Sequence, residues 1–328
     1  MKLQMKPNYP LFFIHISKTA GSSFRVAATE YFGTENVVYD YGINANETHP
    51  QIKKLDYEEK DRYAAGMYIL ENAKFLTGHV AYSKYAPFIP ASNIFTFVRE
   101  PSQQVRSHYE HFKRLHGYKS SFESFIGESR FCNTQHKALA GSWLDAIGFI
   151  GITEKYSESL SFINNQFDTD IPGLEINTNL SKVSSAYEIS EHQLELIRKN
   201  NSLDFELYNY SLRRFERQKK AIVKNKPFIR SGATHVPPKE KGKVFNGWAL
   251  DYGTQQPVMI DVFVEGKHDK VLTASDYRHA ANEKNIHRNG FVGFRYVYPK
   301  NARTNAEVKF VAKATGEVLF VTHVGSVD

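Results

Sequence analysis

The chain of 328 residues holds a single cysteine, Cys132. One thiol permits no intramolecular disulfide and no cysteine metal cluster. No run of 18 apolar residues occurs, and the opening MKLQMKPNYPLFF lacks an apolar core with a small-residue cleavage site. Neither a membrane-spanning helix nor a secretory leader is therefore expected, and the protein is expected to be soluble and cytoplasmic. Internal repeats and low-complexity tracts are absent as well. The formal charge of +7 favours anionic ligands, but the excess is spread along the chain and forms no basic stripe. With no recognisable nucleic-acid module either, the expected partners are phosphate-bearing small molecules or acidic glycans, and not nucleic acid.

What is present is the composition of a folded globule: 41% hydrophobic, 14% aromatic and 23% charged residues, in a chain long enough for two domains. Up to about residue 235, short apolar strands (11–16, 74–78, 94–98, 147–152, 173–177) alternate with helical stretches (22–32, 58–71, 102–115, 121–128, 157–166, 190–223). This alternation predicts a P-loop-like α/β domain, a mainly parallel sheet flanked by helices. Ligands of such sheets bind beyond the carboxyl ends of the strands. Ser190 and Gln193 have capping-box spacing. The stretch RSGATHVPPKEKGK (230–243) reads as a linker. Beyond it, VFNGWALDYG, PVMIDVFVEGK, GFVGFRYVYP and AEVKFVAKATGEVLFVTHV predict a small antiparallel β-sandwich, with Trp248 as sandwich core. The expected domains are thus 1–235 and 243–328.

FFIHISKTAGSS, residues 12 to 23, carries the first chemical signal. Phe12, Phe13, Ile14 and Ile16 suit a buried parallel strand interrupted only by His15. After Gly21 the pattern becomes helical, with the hydroxyls of Ser22 and Ser23 at its start. A strand, a tight turn and a helix N-terminus form a nest of free N–H groups, a natural anion site, and Lys18 adds a point charge beside it. Taken alone, Lys18 reads equally as a solvated turn lysine. Gly21 either permits close backbone approach or merely turns the chain. A Walker loop needs G-x-x-x-x-G-K-[ST], whereas here Lys18 and Thr19 precede Gly21 and position 13 is Phe. No expected strand runs into the Asp of a Mg²⁺ ligand. A nucleotide phosphate fits, a metal-bound triphosphate does not, and no metal is expected.

NIFTFVREPSQQVRSHYEHF supplies a second strand tip. Pro101 suits the first turn of the following helix, and Ser107 lies two turns along it from Arg99. A guanidinium and a hydroxyl so placed can converge on one phosphate, a reading preferred here to a structural salt bridge and a helix-surface hydroxyl. Arg106 and His108 project from other faces. Two separate phosphate-type sites fit a ligand with two separated phosphates, and 3′-phosphoadenosine 5′-phosphosulfate (PAPS) has that arrangement.

At these residues the chain resembles a known family. FIHISKTAGSSF is similar to the 5′-phosphosulfate loop of PAPS-dependent sulfotransferases, and FTFVREPSQQVRSHY to their 3′-phosphate segment. LTGHVAYSKY, NTQHKALAG and IGITEKYSESL resemble the carbohydrate sulfotransferases of the uronyl 2-O type and their bacterial relatives. The resemblance covers roughly residues 10 to 220, in the expected order. Ser17 stands where the family usually has Pro, and Glu100 where it usually has Asp. The resemblance implies that Lys18 neutralises the sulfuryl and bridging oxygens, and that Thr19, Ala20, Gly21, Ser22 and Ser23 hold the 5′-phosphate. Arg99 and Ser107 would hold the 3′-phosphate, and Lys182, in a loop over the nucleotide, would add a phosphate contact. His79 matches the position of the catalytic base. His15, within a strand, is a competitor with a supporting role; His136 either contacts acceptor or lies on a helix surface. Glu154 is a weaker candidate for positioning acceptor or base.

The implied reaction passes a sulfuryl group to a hydroxyl of a glycan, a bacterial polysaccharide or its precursor. A P-loop nucleotide kinase, and a non-enzymatic nucleotide- or glycan-binding protein in which the β domain carries the function, are the alternatives. Binding of adenosine bisphosphate by the N-terminal half separates them.

Overall fold

A computed structural model describes residues 9–173, 186–233, 244–299, 303 and 305–324. Five parallel strands form one sheet in the order β2-β3-β1-β4-β5. They are β1 (Leu11–Ile14), β2 (Val37–Asp40), β3 (Phe75–Gly78), β4 (Ile94–Val98) and β5 (Phe149–Ile152). Every residue of β1, β3, β4 and β5 is buried. Burial on both faces is why these strands read as near-continuous apolar runs, interrupted by Thr77 and Thr96. Phe13 of the central strand packs against Phe24, Phe75, Phe95 and Phe97, the closest pair 4.9 Å apart. Each such ring contributes about 1.5–3 kcal/mol through burial.

Helices flank the sheet: α1 (Gly21–Phe32), α2 (Pro50–Ile52), α3 (Arg62–Asn72), α4 (Tyr82–Tyr85), α5 (Pro101–Leu115), α6 (Phe122–Gly127), α7 (Thr134–Ala138), α8 (Tyr156–Phe167), α9 (Glu191–Asn200) and α10 (Ser202–Val223). None in the described residues is long and apolar enough to cross a membrane. The capping box at Ser190 and Gln193 is formed. Several boundaries differ from the sequence reading. The helix expected from 58 starts at Arg62, because Asp61 accepts the Ala64 N–H at 2.9 Å and caps it, while Lys53–Glu58 forms a π turn. The helix expected over 190–223 is broken at Asn201. The Asn201 side chain accepts the Asn133 N–H at 2.8 Å and donates to the Ile197 carbonyl at 3.2 Å. Strand β2 was not anticipated. The strand expected over 173–177 and the candidate Lys182 fall, but for Gly173, outside the described residues.

The described residues divide into two compact units, one up to Ile89 with Asn93–Glu216, the other Pro90–Ser92 with Arg217 onward. The second is all but helix-free and holds two four-stranded antiparallel sheets, ordered β10-β11-β7-β6 and β13-β12-β8-β9. Its elements are β6 (Arg230–Ala233), β7 (Val244–Leu250), β8 (Met259–Val264), β9 (Lys267–Thr273), β10 (Asp276–Tyr277), α11 (His279–Glu283), β11 (Phe291–Val297), β12 (Glu307–Ala312) and β13 (Val318–His323). Ala249, Phe294 and Tyr296 of one sheet share a core with Ile260, Val262, Val308 and Phe310 of the other, as a sandwich requires. Trp248 is buried. Strand β6 corrects the linker reading of 230–233: it pairs with β7, and Gly232 leaves room for the Trp248 indole, whose Nε1 would lie 2.5 Å from an added Cβ.

Candidate active site

The turn between β1 and α1 is built by left-handed backbone at two non-glycine residues, Lys18 (φ 67°) and Ala20 (φ 65°). Alternation of this kind turns successive N–H groups to one side and makes an anion nest. Helix α1 has no side-chain cap and no acid in its first turn. Its first backbone bond runs from Phe24 N–H to Ala20 O at 3.4 Å, and the N–H groups of Thr19 through Ser23 meet no partner among the described residues. Thr19 is fully buried and its hydroxyl donates to the Ile16 carbonyl at 2.9 Å, so its contribution to the nest is its backbone. Ser22 is exposed and Ser23 buried. Gly21 does not have positive φ; its missing side chain gives space to His15, whose Cδ2 would lie 2.1 Å from an added Cβ.

Arg99 follows β4 and is tied to the same turn, its Nη1 donating to the Lys18 carbonyl at 3.2 Å. Burial lowers its pKa, opposed by Glu154, Tyr187 and Glu100, and a guanidinium stays charged at this depth. Gln135 holds its backbone from both sides, accepting the Arg99 N–H at 2.9 Å and donating to the Arg99 carbonyl at 3.0 Å. Asp204 in turn accepts the N–H groups of Gln135 (3.3 Å) and His136 (2.7 Å). From α5, Gln104 donates to the Ser17 carbonyl at 3.0 Å. Ser107, one turn on, shares that helix face; its hydroxyl makes no hydrogen bond among the described residues. Arg106 points elsewhere, pairing with Glu110 at 2.8 Å. Tyr187 lies 6.0 Å from the Arg99 guanidinium and exchanges two backbone bonds with the Gln103 amide, at 2.7 and 3.0 Å. Glu154 accepts the Glu100 N–H at 2.9 Å and the Tyr208 hydroxyl at 3.1 Å, which makes it a brace of the strand tip.

His79 follows β3 and has an exposed edge. The preceding Gly78 is obligatory, since a Cβ there would meet the Asp40 carbonyl at 1.8 Å. His79 Nδ1 lies 2.6 Å from the His15 carbonyl. A carbonyl only accepts, so Nδ1 carries the proton and the neutral ring presents the Nε2 lone pair. Desolvation lowers the pKa of His79, partly offset by that backbone bond. His15 is buried, lies against the tilted His79 ring with centroids 4.5 Å apart, and has its pKa held well below 6.5 by burial, then by His79, Arg25 and Lys18. Burial, then His111 and Lys18, depress His108 to about 4. Electrostatics and hydrogen bonds thus gather Lys18, Thr19, Ala20, Gly21, Ser22, Ser23, Arg99 and His79 around one turn, with Ser107 on the facing helix. For His136 the described contact is its backbone bond to Asp204, and its acceptor role stays open.

The sequence reading missed Gln104, Gln135, Asp204 and Tyr187, which fix the turn and Arg99. The sequence carried no signal for them: Gln104 in PSQQVRS and Gln135 in NTQHK stand among polar neighbours, yet both are fully buried.

No family model and no curated protein matches the chain. Among solved structures it is similar to a sulfotransferase from Alicyclobacillus acidocaldarius, at 15% identity and TM-score 0.35, over 61% of this chain and 94% of that one. It is similar to mouse sulfotransferase SULT7A1 complexed with PAP, at 12% identity and TM-score 0.30, over 60% of this chain and 66% of that one. A third is a retinol dehydratase in complex with androsterone and inactive cofactor PAP, at 15% identity and TM-score 0.27, over 60% of this chain and 65% of that one. The chain spans just under two thirds of the length of the latter two.

Proposed function

We propose that the protein binds PAPS and catalyses transfer of its sulfuryl group to a hydroxyl of a glycan. The observation that carries this reading is the bond from Arg99 to the Lys18 carbonyl, 3.2 Å long, which joins a guanidinium to a turn of unpartnered N–H groups. Two anion-binding groups so joined suit a nucleotide with phosphates at both ribose ends. The donor supplies an already activated sulfuryl group. In this reading Thr19 to Ser23 hold the 5′-phosphate and Lys18 balances the charge that develops as the bridging bond breaks. Arg99 and Ser107 hold the 3′-phosphate, and Lys182 adds a further contact. His79 takes the acceptor proton at Nε2, the nitrogen left unprotonated by its bond to the His15 carbonyl. Positioning and charge stabilisation then supply the catalysis. The glycan class of the acceptor rests on the likeness of LTGHVAYSKY to the 2-O enzymes, and the β-sandwich, from about residue 243, is assigned an accessory role.

Calorimetry of the full chain with adenosine 3′,5′-bisphosphate, chelator present, tests donor binding. Incubation with labelled PAPS and a panel of desulfated acidic polysaccharides, followed by mass analysis, tests transfer. Tighter binding of ATP than of the bisphosphate, or a strict Mg²⁺ requirement, would sink the reading in favour of a kinase.

A further inference from the structure

The ring of His15 has no part in the roles given above, yet it is a buried polar group at the turn. It is 6% exposed, lies flat against Phe13 with centroids 5.7 Å apart, and meets the His79 ring at 4.5 Å. Its Cδ2–Nε2 edge faces Gly21: a Cβ built there would fall 2.1 Å from Cδ2 and 2.4 Å from Nε2. Its other nitrogen, Nδ1, lies 2.8 Å from the Tyr41 hydroxyl.

The proposal below places the proton of that bond on the phenol. Burial raises the Tyr41 pKa to about 12, so the phenol keeps its proton near neutral pH. The Arg25 guanidinium sits 5.4 Å from the Tyr41 ring centroid, and this nearby cation also disfavours an imidazolium at His15. The His15 ring is neutral for the reasons given above. A neutral imidazole that accepts at Nδ1 carries its one proton on Nε2. Nε2 has no hydrogen-bond partner among the described residues and keeps access to solvent at the turn.

We propose that His15 is a fixed, neutral donor to the anion seated on the β1–α1 turn, its Nε2–H bonding an oxygen of that group beside the Gly21 N–H. The inference rests on the donor reading above, with the 5′-phosphate as that anion. His15 is then no competitor of His79: with Nδ1 engaged and Nε2 protonated it offers no lone pair to an acceptor hydroxyl. The bare Cα of Gly21 is what brings the two N–H groups together.

The test compares adenosine 3′,5′-bisphosphate with adenosine 3′-monophosphate by calorimetry on full-length wild type and His15→Phe. Phenylalanine keeps the stack on Phe13 and removes both nitrogens. The variant is expected to lose about tenfold or more in bisphosphate affinity and nothing for the 3′-monophosphate. Unchanged bisphosphate affinity overturns the proposal, and so does an equal loss for both nucleotides. A wild type that does not prefer the bisphosphate overturns the donor reading itself, a separate result. If the variant does not fold, ¹⁵N NMR of the wild-type histidine rings decides. An Nε2–H tautomer whose signal moves when bisphosphate is added supports the assignment; an Nδ1–H tautomer, or a ring indifferent to nucleotide, overturns it.

Discussion

Gly21→Ala probes the packing beneath the β1–α1 turn without reference to any ligand. Gly21 is not in the left-handed region, so alanine fits its backbone and in a helix gains up to about 1 kcal/mol over glycine. The obstacle is His15. The new Cβ would lie 2.1 Å from Cδ2, whereas carbon contacts settle near ~3.5–4.0 Å. The ring would have to retreat by roughly 1.5 Å, and it is pinned by Tyr41 at 2.8 Å, by the Phe13 stack and by His79. Overpacking of this kind costs about 1–3 kcal/mol. Propensity and clash oppose each other in the single variant, so the informative experiment is a double-mutant cycle with His15→Ala. Once the ring is gone the clash is gone, and Gly21→Ala should cost about 1–3 kcal/mol less in that background than in wild type. Hydrogen exchange of β1 and α1 amides reads this unit separately from the β-sandwich. Effects that add to within about 0.5 kcal/mol would refute the packing argument.

Arg99→Ala should weaken adenosine 3′,5′-bisphosphate by roughly ten- to a hundredfold, the worth of a charge-assisted contact, and adenosine 5′-monophosphate far less; equal losses in calorimetry would show that Arg99 does not read the 3′-phosphate. His79→Ala should hold bisphosphate affinity within a few-fold while lowering turnover about a hundredfold or more. Because desolvation lowers the His79 pKa, wild-type turnover should fall on acidification with a midpoint below 6.5, and the variant should lack that limb. His108, held to about 4, binds its proton more weakly folded than unfolded, so its contribution to stability is complete above pH 6.5 and lost as pH falls toward 4. Relative to His108→Phe, which fills the same aromatic surroundings, wild type should lose about 3 kcal/mol over that window in urea titrations. A gap independent of pH contradicts it.

The four strands found in the sequence are those buried on both faces, where an apolar run is the direct trace of the environment. VVYD of β2 ends in a tyrosine and an aspartate and so makes no apolar run, and its pairing with β3, Val38 opposite Leu76, makes it a strand. The site divides in the same way. Lys18, Arg99 and His79 stand just beyond strands and Ser107 two turns along the helix that follows one, and local pattern reaches that far. The clamp on Arg99 does not: Gln135 is 36 residues away, and Asp204 a further 69 from Gln135, distances at which no spacing rule operates. At Gly21 the structure adds a use that the sequence reading did not name. The left-handed bends fall on Lys18 and Ala20, where composition gives no warning, and the glycine serves a buried ring.

The two strand–turn–helix units at the centre of the sheet share a layout but treat an anion in opposite ways. Helix α5 carries its own: the Glu100 carboxylate accepts the Gln103 N–H at 2.9 Å and the Ser102 hydroxyl, which satisfies the helix start from within. A second phosphate brought to that end would meet a carboxylate and a proline without an N–H. Helix α1 has neither cap nor acid, and its N–H groups stay open. In the proposed reading the open first turn takes the 5′-phosphate, and the second unit would read a phosphate through a side chain that leaves the helix axis behind. Arg99, one residue before the Glu100 cap and held by Gln135, is placed to do so. The asymmetry predicts where charge changes act: Glu100→Gln, which keeps the shape of the cap, should leave 5′-phosphate binding unchanged and strengthen 3′-phosphate binding modestly, by a few-fold, through loss of a negative neighbour of Arg99. Calorimetry with adenosine 3′- and 5′-monophosphates distinguishes the two, and a variant that instead gains affinity for the 5′-monophosphate would show that the anion sits at the α5 end after all.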